Sequence, residues 1–413
     1  MKVRKLGIIA DDLTGAMDSS GYFAGLGFTT VVVLDKSFSV DAAVLVITTN
    51  SRAEAPVIAR VRVRHGMKYM ADRIVYKKVD STLRGNIGEE LLEVTESTAS
   101  QKVVVAPAFP SLGRTTVDGI LLVEGMPVAQ TQFANDPVSP VTESNVCKLL
   151  EQSMGVKVGH VSLAEIETRP ETLKDTINNK LEDIVVCDVV EQSHLTSIAQ
   201  AATLAEGRWL LCGSGGLARE LRLFLADTIK MEQKQTQGKV LDPVLAIVGT
   251  RNQVAANQLL KAHDMLGIPI LKLEVEKLNF QNGQPNSLRN LLEETDELIS
   301  EGKGLAISST FSQQIQNLTH SLPGIMAEIA ARILASHKFA GLFLSGGDIA
   351  IHACRQLRVS AIKVRGEIEP GLPAGELIGG KYDGMRVVTK AGGFGTEEAI
   401  VKSIEYLERG KLQ

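Results

Sequence analysis

The sequence predicts an α/β protein of two domains, each a largely parallel β-sheet flanked by helices. Three observations lead to this prediction. Short, mostly β-branched apolar runs alternate with amphipathic stretches, which is the pattern of repeated β–α–β units. The length of 413 residues is more than one domain usually holds. The polar segment Met231–Lys239 has no apolar periodicity and interrupts the alternation, which indicates a linker.

Strands are expected at the apolar runs and helices between them. In the first half the expected strands are Leu6–Ala10, Thr30–Leu34, Val44–Thr48, Ile74–Val79, Val103–Ala106, Ile184–Val189 and Trp209–Cys212, with helices such as Leu13–Leu26 and Ile87–Val94. In the second half they are Val244–Val248, Ile268–Leu273, Leu305–Ser308, Gly341–Leu344, Ile362–Val364 and Met385–Thr389, with helices Leu288–Ile299 and Met326–Ser336. The domains are therefore expected at residues 1–230 and 243–413, with the active site in the interdomain cleft, a common place for a ligand.

Composition and charge exclude several classes of protein. The formal net charge is −4 and aromatic residues make up only 4%, which argues against a nucleic-acid partner. No run of 18 apolar residues occurs, so no membrane span is expected. The 4 cysteines form no CxxC pair and the histidines form no HExxH motif, so a zinc site is not predicted. A reducing, cytoplasmic location is expected.

Charged residues follow the first strands of the chain, where an open parallel sheet binds its ligands. Asp11 and Asp12 come after Leu6–Ala10 and precede a helix. Adjacent carboxylates there can bind a metal, orient a hydroxyl or accept a proton, although one of them can instead cap the helix. Arg52 follows the strand Val44–Thr48, where it can hold a carboxylate or lie in solvent as a loop arginine.

The densest polar loop is KKVDSTLRGN, residues 77–86, which again lies between a strand and a helix. It offers three cations, one carboxylate, two hydroxyls and a glycine, and the helix start adds N–H groups that favour anions. A polyhydroxy-acid or anion site is predicted, with a charged turn capped by Ser81 or Asn86 as the alternative. Arg114, after the strand Val103–Ala106, is a further candidate for binding an anion.

Three glycine-bearing loops follow strands of the second half. They are Gly249-Thr250-Arg251-Asn252, Ser345-Gly346-Gly347-Asp348 and Lys390-Ala391-Gly392-Gly393-Phe394-Gly395. Glycine lets backbone N–H groups approach phosphate oxygens closely, so a nucleotide or phosphate site is predicted, with tight turns as the alternative. No GxxxxGK[ST] and no GxSxG motif occurs, and no GxGxxG follows the first strand. A P-loop protein, a nucleophile-elbow hydrolase and a dehydrogenase are therefore poorly supported.

The order of the motifs resembles the four-carbon acid sugar kinase family. The motifs are ADDLTGA, KKVDSTLRGN, APAFPSLGRT, SGGD, RGEIEPGLPAG and TKAGGFG, and they extend over nearly the whole chain. The resemblance implies a sugar-acid-binding domain at residues 1–230 and a nucleotide-binding domain at residues 243–413. It implies phosphorylation of threonate, erythronate or 3-oxo-tetronate by ATP, with Mg²⁺ expected alongside the nucleotide.

The resemblance also implies the residues of both sites. The substrate-binding set is Asp12, Arg52, Lys78, Asp80, Ser81, Thr82, Leu83 and Arg84, and the nucleotide-binding set is Asn252, Gly346, Gly347, Asp348, Ile349, Gly392 and Gly393. Asp12 is expected to be the catalytic base, with Asp11 or Asp80 next, and Arg52 and Arg84 are expected to hold the substrate carboxylate. No side chain is assigned as a direct metal ligand, and Asp348 is expected behind the ligands of Mg²⁺. Two positions depart from the family pattern, because Asn252 and Ile349 stand where hydroxyl residues are usual.

The expected reaction is phosphorylation of D-threonate to 4-phospho-D-threonate. D-erythronate or 3-oxo-tetronate as substrate remains an alternative, since the sequence does not reveal stereochemistry. A nicotinamide-dependent dehydrogenase on a similar architecture would bind nicotinamide, and a non-enzymatic sugar-acid sensor would bind its ligand without using ATP. The partners are expected to be a small sugar acid and ATP, with a homo-oligomer left open.

Overall fold

The computed structural model describes residues 5–35, 38–136, 138–225, 242–250, 252–273, 280–281, 284–285, 288–300, 304–311 and 322–412. The linker predicted at Met231–Lys239 lies outside these residues. The chain divides into two compact units. Unit 1 comprises Met1–Ser19 and Ser39–Lys230, and unit 2 comprises Ser20–Phe38 and Met231–Gln413.

The elements of the first half alternate as predicted, with an antiparallel hairpin inserted. In chain order they are β1 (Lys5–Ala10), α1 (Leu13–Gly25), β2 (Thr30–Val33), β3 (Val44–Thr48), α2 (Pro56–Met67), β4 (Arg73–Lys78), α3 (Ile87–Glu96), β5 (Lys102–Ala106), β6 (Arg114–Val117), β7 (Ile120–Val123), β8 (Met126–Pro127), α4 (Val146–Met154), β9 (Val158–Val161), α5 (Leu163–Ile166), α6 (Pro170–Asn179), β10 (Ile184–Cys187), α7 (Gln192–Leu204), β11 (Trp209–Gly213) and α8 (Gly215–Glu220). Short 3₁₀ helices lie at Pro110–Leu112, Val128–Gln130, Gln132–Asn135 and Leu221–Leu225.

The second half continues the alternation and, within the described residues, adds four strands with antiparallel pairing. Its elements are β12 (Val244–Val248), α9 (Gln253–Leu266), β13 (Ile270–Lys272), β14 (Phe280–Gln281), β15 (Gln284–Pro285), α10 (Leu288–Ser300), β16 (Leu305–Ser308), α11 (Leu322–Ser336), β17 (Gly341–Ser345), α12 (Gly347–Gln356), β18 (Ala361–Glu367), β19 (Pro373–Ile378), β20 (Arg386–Lys390) and α13 (Ala399–Arg409). The added strands are β14, β15, β18 and β19. None of the helices in the described part of the chain is both long and apolar enough to span a lipid bilayer.

Unit 1 is built on a parallel sheet with the strand order β3-β1-β4-β11-β5-β10-β9. Several of its strands are apolar runs, as expected where helices cover a parallel sheet on both faces, and β3, β10 and β11 are buried throughout. The hairpin β6–β7–β8 forms a separate antiparallel sheet. The predicted α/β class with mainly parallel sheets is confirmed.

Unit 2 has the strand order β13-β16-β12-β17-β20-β19-β18-β2. The first five strands are parallel, whereas β19, β18 and β2 pair in antiparallel fashion. Because β2 pairs with β18, the segment Ser20–Phe38 groups with unit 2. The sequence predicts a first domain at residues 1–230, and within that range the structure groups this one segment with unit 2. Side chains of β12, α9 and α13 form the apolar core of the unit, among them Val248, Leu259 and Ile404.

Candidate active site

The carboxyl ends of neighbouring strands in unit 1 lie level with one another. Ala10, the last residue of β1, is in register with Thr48 of β3 and with Lys78 of β4, and Lys78 is in register with Gly213 of β11. Residues that follow these strands therefore meet at one edge of the sheet. The residues brought together there are Asp11, Asp12, Arg52, Lys78, Asp80, Ser81, Thr82, Leu83 and Arg84.

Arg52 lies at the centre of this group of charges. Its Nε donates to Asp11 Oδ2 at 2.7 Å and its Nη2 to Asp11 Oδ1 at 3.2 Å. Nη2 also lies 3.0 Å from Asp12 Oδ1 and 3.7 Å from Asp80 Oδ1. A single guanidinium thus pairs with three carboxylates, and the bidentate pair with Asp11 fixes its orientation.

The three aspartates differ in how their surroundings affect ionisation. Burial raises the pKa of Asp11, but Arg52 and nearby lysines outweigh burial and the net pKa is lowered. Burial also acts on Asp80, where Arg84 and Arg52 hold the pKa well below its usual value. At Asp12, burial together with the negative charge of Asp11 outweighs Arg52, so the pKa is raised. Asp12 is therefore the most basic of the three carboxylates, which suits proton transfer.

Asp12 also caps the N-terminus of helix α1, which it precedes. Its Oδ1 accepts a hydrogen bond from the Gly15 amide at 2.8 Å, and its carbonyl accepts one from the Ala16 amide at 3.0 Å. A Cβ at Gly15 would lie 2.6 Å from Asp12 Oδ1 and 3.1 Å from Lys78 Nζ, so a larger residue there would require one or both groups to shift. The helix-capping role that the sequence allowed is thus realised through Oδ1.

The Asp80 loop is ordered by its own side chains. Arg84 Nε donates to Asp80 Oδ2 at 2.9 Å, and the Thr82 amide and hydroxyl donate to the same oxygen. Leu83 has a φ of 63°, a left-handed conformation that a non-glycine residue adopts only when its surroundings impose it. Arg84 Nη1 also pairs with Asp136 Oδ2 at 3.2 Å. Arg84, like Arg52, is therefore already paired with carboxylates of the protein.

Consecutive lysines of β4 point to opposite faces of the sheet, as strand geometry requires. Lys77 Nζ lies 2.8 Å from Glu90 Oε2 in a pair whose side chains are 0% and 1% exposed. Lys78 Nζ donates to the Val79 carbonyl at 2.9 Å and lies on the side of Asp12. Ser81 is buried at the start of the following turn. Lys78 thus belongs to the site and Lys77 to the structure beneath it.

Two further charged residues, whose charges interact with those of the site, were not predicted among its main residues. Arg114, the first residue of β6, has buried Nε and Nη1 atoms without a hydrogen-bond partner. Asp18, in the second turn of α1, has a buried Oδ1 without a partner. A mid-helix Asp carries no local sequence signal, and the loop before Arg114 gave only a weak one.

The glycine loops of unit 2 lie against one another. A Cβ at Gly392 would lie 2.2 Å from Thr250 Oγ1, and one at Gly393 would lie 3.1 Å from Asn252 Nδ2. Gly346, with a φ of 111°, donates its amide to the Lys390 carbonyl at 2.9 Å and precedes helix α12. The predicted nucleotide-binding residues brought together here are Asn252, Gly346, Gly347, Asp348, Ile349, Gly392 and Gly393. Arg251 lies outside the described residues.

The two departures from the family pattern have visible consequences. Asn252 caps helix α9, because its Oδ1 accepts from the Val254 amide at 2.8 Å, which leaves its amide nitrogen towards Gly393. The Ile349 side chain is 2% exposed and packs on Gly249, where a Cβ would lie 2.3 Å from its Cδ1. Ile349 can therefore offer a nucleotide its backbone, whereas its side chain belongs to the core.

Carbonyl groups of the third glycine loop are held from beneath. Lys390 Nζ donates to the carbonyls of residues 391, 392 and 394 at 3.0, 2.8 and 3.0 Å. Gln258 Nε2 donates to the carbonyls of residues 394, 395 and 396 at 3.0, 3.1 and 2.8 Å. Bonds that fix the carbonyls on one side favour amide N–H groups on the other, as in anion-binding loops. Burial lowers the pKa of Lys390 to about 8.

The fit of Mg²⁺ rests on one carboxylate. In the described part of the chain, no group of three or more His, Cys, Asp or Glu side chains is placed to hold a metal ion. Asp348, in the first turn of α12, is exposed beside the glycine loops. Mg²⁺ in nucleotide sites is usually bound by one or two carboxylates together with phosphate oxygens. A single carboxylate beside the glycine loops therefore fits the ion.

Two family models match the chain. One described as a sugar-binding N-terminal domain matches residues 6–221, and one described as a nucleotide-binding C-terminal domain matches residues 245–400. The charged cluster of unit 1 lies within the first range, and the glycine loops of unit 2 lie within the second. The resemblance stated from the sequence motifs is thereby confirmed.

Relatives over the whole length have related names. A D-threonate kinase of Bordetella bronchiseptica is 30% identical and one of Salmonella typhimurium is 29% identical, each with 98% of both chains covered. A D-erythronate kinase of Heliobacterium modesticaldum is 29% identical, with 97% of this chain and 96% of the relative covered.

Solved structures support the fold. A Salmonella typhimurium crystal structure described as a tRNA synthase has a TM-score of 0.81 at 20% identity and covers 97% of this chain and 98% of its own. A Haemophilus influenzae protein has a TM-score of 0.74 at 21% identity and covers 98% of this chain and 99% of its own.

Proposed function

This chain belongs to the four-carbon acid sugar kinase family, and we propose that it transfers a phosphoryl group from ATP to D-threonate, giving 4-phospho-D-threonate. It is a phosphotransferase whose acceptor is an alcohol group of a sugar acid. Two of the relatives named above are D-threonate kinases, which supports this substrate. D-erythronate and 3-oxo-tetronate are the alternative acceptors, since other relatives carry those names.

The observation that supports the mechanism most directly is the contrast among the three aspartates. In the proposed step Asp12 takes the proton of the acceptor hydroxyl while the oxygen of that hydroxyl bonds to the γ-phosphorus. The bond from that phosphorus to the bridging oxygen breaks at the same time, and ADP leaves. Asp12 has a raised pKa, as a base requires, whereas Asp11 and Asp80 have lowered ones. We assign those two the task of holding Arg52 and Arg84 in position.

Arg52 positions the carboxylate of Asp12 in this proposal. Its Nη2 lies 3.0 Å from Asp12 Oδ1, the oxygen that also caps helix α1. Two contacts on one oxygen fix the carboxylate plane, so the second oxygen has a defined direction towards a hydroxyl. Positioning of this kind is a large part of the catalysis of phosphoryl transfer.

ATP is proposed to bind at the glycine loops of unit 2. Amide groups of Gly346, Gly347, Gly392 and Gly393 would face its phosphates, with Asn252 donating through its side-chain amide. Asp348 would help to hold Mg²⁺ beside these loops, and the ion, when bound, would supply positive charge against the negative charge that develops during transfer.

A screen of four-carbon acids tests the proposed function. ADP release is measured with ATP and each of D-threonate, L-threonate, D-erythronate, L-erythronate and the 3-oxo acids, followed by mass detection of the product. We expect D-threonate to give the highest kcat/KM and a product carrying one phosphate. A higher value for another acid would replace D-threonate as the substrate. If none of these acids supports ADP release, the kinase assignment is refuted. Nicotinamide binding in a fluorescence titration would then favour a dehydrogenase.

A further inference from the structure

Two buried charged groups of unit 1 have bonding capacity that the mechanism above does not use. The Nε and Nη1 atoms of Arg114 are buried and have no hydrogen-bond partner, and the same is true of Asp18 Oδ1. Asp18 is only 8% exposed. Buried polar atoms in folded proteins are nearly always hydrogen-bonded, and an unpaired buried charge is costly. An exception at the edge of a binding site indicates atoms that a ligand satisfies.

Phe109 lies between Arg114 and Asp18. Its backbone pairs with that of Arg114, and a Cβ at Gly215 would lie 2.8 Å from its ring and 2.6 Å from Asp18 Oδ2. Burial lowers the pKa of Arg114, and the charges of Asp80 and Asp18 act against that effect. Burial raises the pKa of Asp18, and Lys78, Arg219 and Arg114 act against it. The ionisation of both groups is therefore affected by residues of the proposed acceptor site, which are Asp80 for Arg114 and Lys78 for Asp18.

The backbone holds Arg114 firmly. Its amide donates to the Phe109 carbonyl at 3.2 Å and its carbonyl accepts from the Phe109 amide at 2.8 Å. It then pairs with Val123 across the β6–β7 hairpin, and the preceding Gly113 has a φ of 66°, which favours glycine. A side chain that starts from such a fixed backbone loses little freedom when it binds a ligand.

The arginines predicted to hold the substrate carboxylate are in a different state. Arg52 pairs with three carboxylates and Arg84 with two. Either of them could take a substrate carboxylate only by weakening an ion pair that it already makes. Arg114 has no such competitor at Nε and Nη1.

We propose that Arg114 binds the carboxylate of the acceptor and that Asp18 accepts a hydrogen bond from one of its hydroxyl groups. The identity of the acceptor as a sugar acid rests on the proposed function. A guanidinium matches a carboxylate with two parallel N–H···O bonds, and the neighbouring Asp18 makes the pair complementary to a hydroxy acid. An uncharged analogue would leave the buried Arg114 unpaired and would be rejected.

The test compares an acid with its amide. kcat/KM is measured for the four-carbon acid that the wild type phosphorylates best and for the corresponding uncharged amide, in the wild type and in Arg114→Met. We expect Arg114→Met to reduce kcat/KM for the acid by about 10²–10³-fold, to reduce that for the amide far less, and to leave KM for ATP unchanged. Arg114→Lys should restore part of the preference for the acid, and Asp18→Asn should raise KM for the acid.

Arg73→Met is the matched control. Arg73 is also largely buried, and its Nη1 donates to the carbonyls of Leu6 and Ala42 at 3.2 and 2.9 Å. It is the first residue of β4, whereas the proposed acceptor site adjoins the last residue of that strand. This variant should leave the ratio of acid to amide as in the wild type. An equal loss for acid and amide in Arg114→Met, or no loss for either, would overturn the proposal. If circular dichroism shows that Arg114→Met is poorly folded, the ratio of acid to amide is measured in Arg114→Lys and Arg114→Gln instead.

Direct binding separates this proposal from the proposed function. Calorimetric titration of the wild type and Arg114→Met with each four-carbon acid needs no turnover. Binding that depends on Arg114, without phosphorylation by the wild type, refutes the kinase assignment and supports the carboxylate site. Phosphorylation with an unchanged ratio of acid to amide in Arg114→Met refutes the carboxylate site alone.

Discussion

Replacing Asp12 with Asn separates its proposed role as a base from its role in the fold. The Asn side-chain oxygen can still accept from the Gly15 amide, because Asn and Asp are comparable helix caps. Arg52 would lose one of its three carboxylates but keep its bidentate pair with Asp11. We therefore expect Asp12→Asn to change the free energy of unfolding by about 1 kcal/mol or less.

The expected effect on turnover is far larger. Removing a positioned base lowers kcat by about 10²–10⁴-fold, which corresponds to roughly 2.7–5.4 kcal/mol in the activation free energy. KM for ATP should not change, because the glycine loops of unit 2 are untouched. The assay is coupled ADP release at saturating acid and ATP, accompanied by thermal unfolding of the same preparation.

The pH dependence adds an independent measurement. A protonated carboxyl cannot accept a proton, so wild-type kcat/KM should fall as the pH drops through the raised pKa of Asp12. The residual activity of Asp12→Asn should lack this acidic limb. Asp80→Asn is the matched control, since that carboxylate has a lowered pKa and the variant should retain the limb. Asp11→Asn should also retain the limb but move it to lower pH, because the charge of Asp11 helps to raise the pKa of Asp12. An Asp12→Asn enzyme with wild-type turnover and an unchanged limb would refute Asp12 as the base.

Three further predictions concern structure beneath the two sites. Lys77→Met leaves Glu90 buried without the ammonium that it pairs with, so we expect the free energy of unfolding to fall by about 3–5 kcal/mol in urea titration. The double variant Lys77→Met/Glu90→Leu should recover most of this loss. A double variant as unstable as the single one would contradict the prediction. Lys390→Met removes three bonds to loop carbonyls and should raise KM for ATP about 10-fold. Because the wild-type ammonium loses its proton as the pH rises through about 8, wild-type KM for ATP should rise there and that of the variant should not; parallel pH profiles would count against the idea. Gly392→Ala places a Cβ 2.2 Å from a hydroxyl oxygen and should also raise KM for ATP, whereas Gly25→Ala, with nothing within 4 Å, should not; equal KM values for the two variants would remove the steric argument.

Parallel strands were the most predictable part of the fold. β3, β12 and β16 have the bounds expected from the sequence. Such strands are buried on both faces, so each is a continuous apolar run between polar loops. Helices α1 and α3 were likewise predicted to within one or two residues at their ends.

Strands defined by their partners were not predictable. The first strand of the hairpin β6–β7–β8 begins with the polar run Arg114-Thr115-Thr116, and its three strands have only two to four residues each. Strand β19 begins with Pro373-Ala374-Gly375-Glu376, which lacks an apolar run. The pairing of β2 with β18 joins positions more than three hundred residues apart, and local periodicity contains no information about it.

The site shows the same division between local and long-range information. Motifs identified which loops carry charge, because polar residues after a strand stand out against apolar surroundings. They did not reveal that Arg52 is already paired with Asp11, Asp12 and Asp80, since those contacts join three separate loops. Asp18 could not be predicted for the same reason, because the charges that act on it belong to other elements.

Arg52 and Arg114 differ in function because their surroundings differ. A buried guanidinium must have its positive charge compensated, and at Arg52 the protein supplies the compensation itself, which makes that side chain a fixed support for Asp12. At Arg114 two buried donor atoms have no hydrogen-bond partner, and burial disfavours the positive charge more than Asp80 and Asp18 favour it. A bound carboxylate would remove that unfavourable contribution, and its binding would gain free energy that a neutral ligand could not provide. The same residue type thus stabilises the catalytic group in one loop and favours an acidic substrate in another, and only the contacts distinguish the two roles.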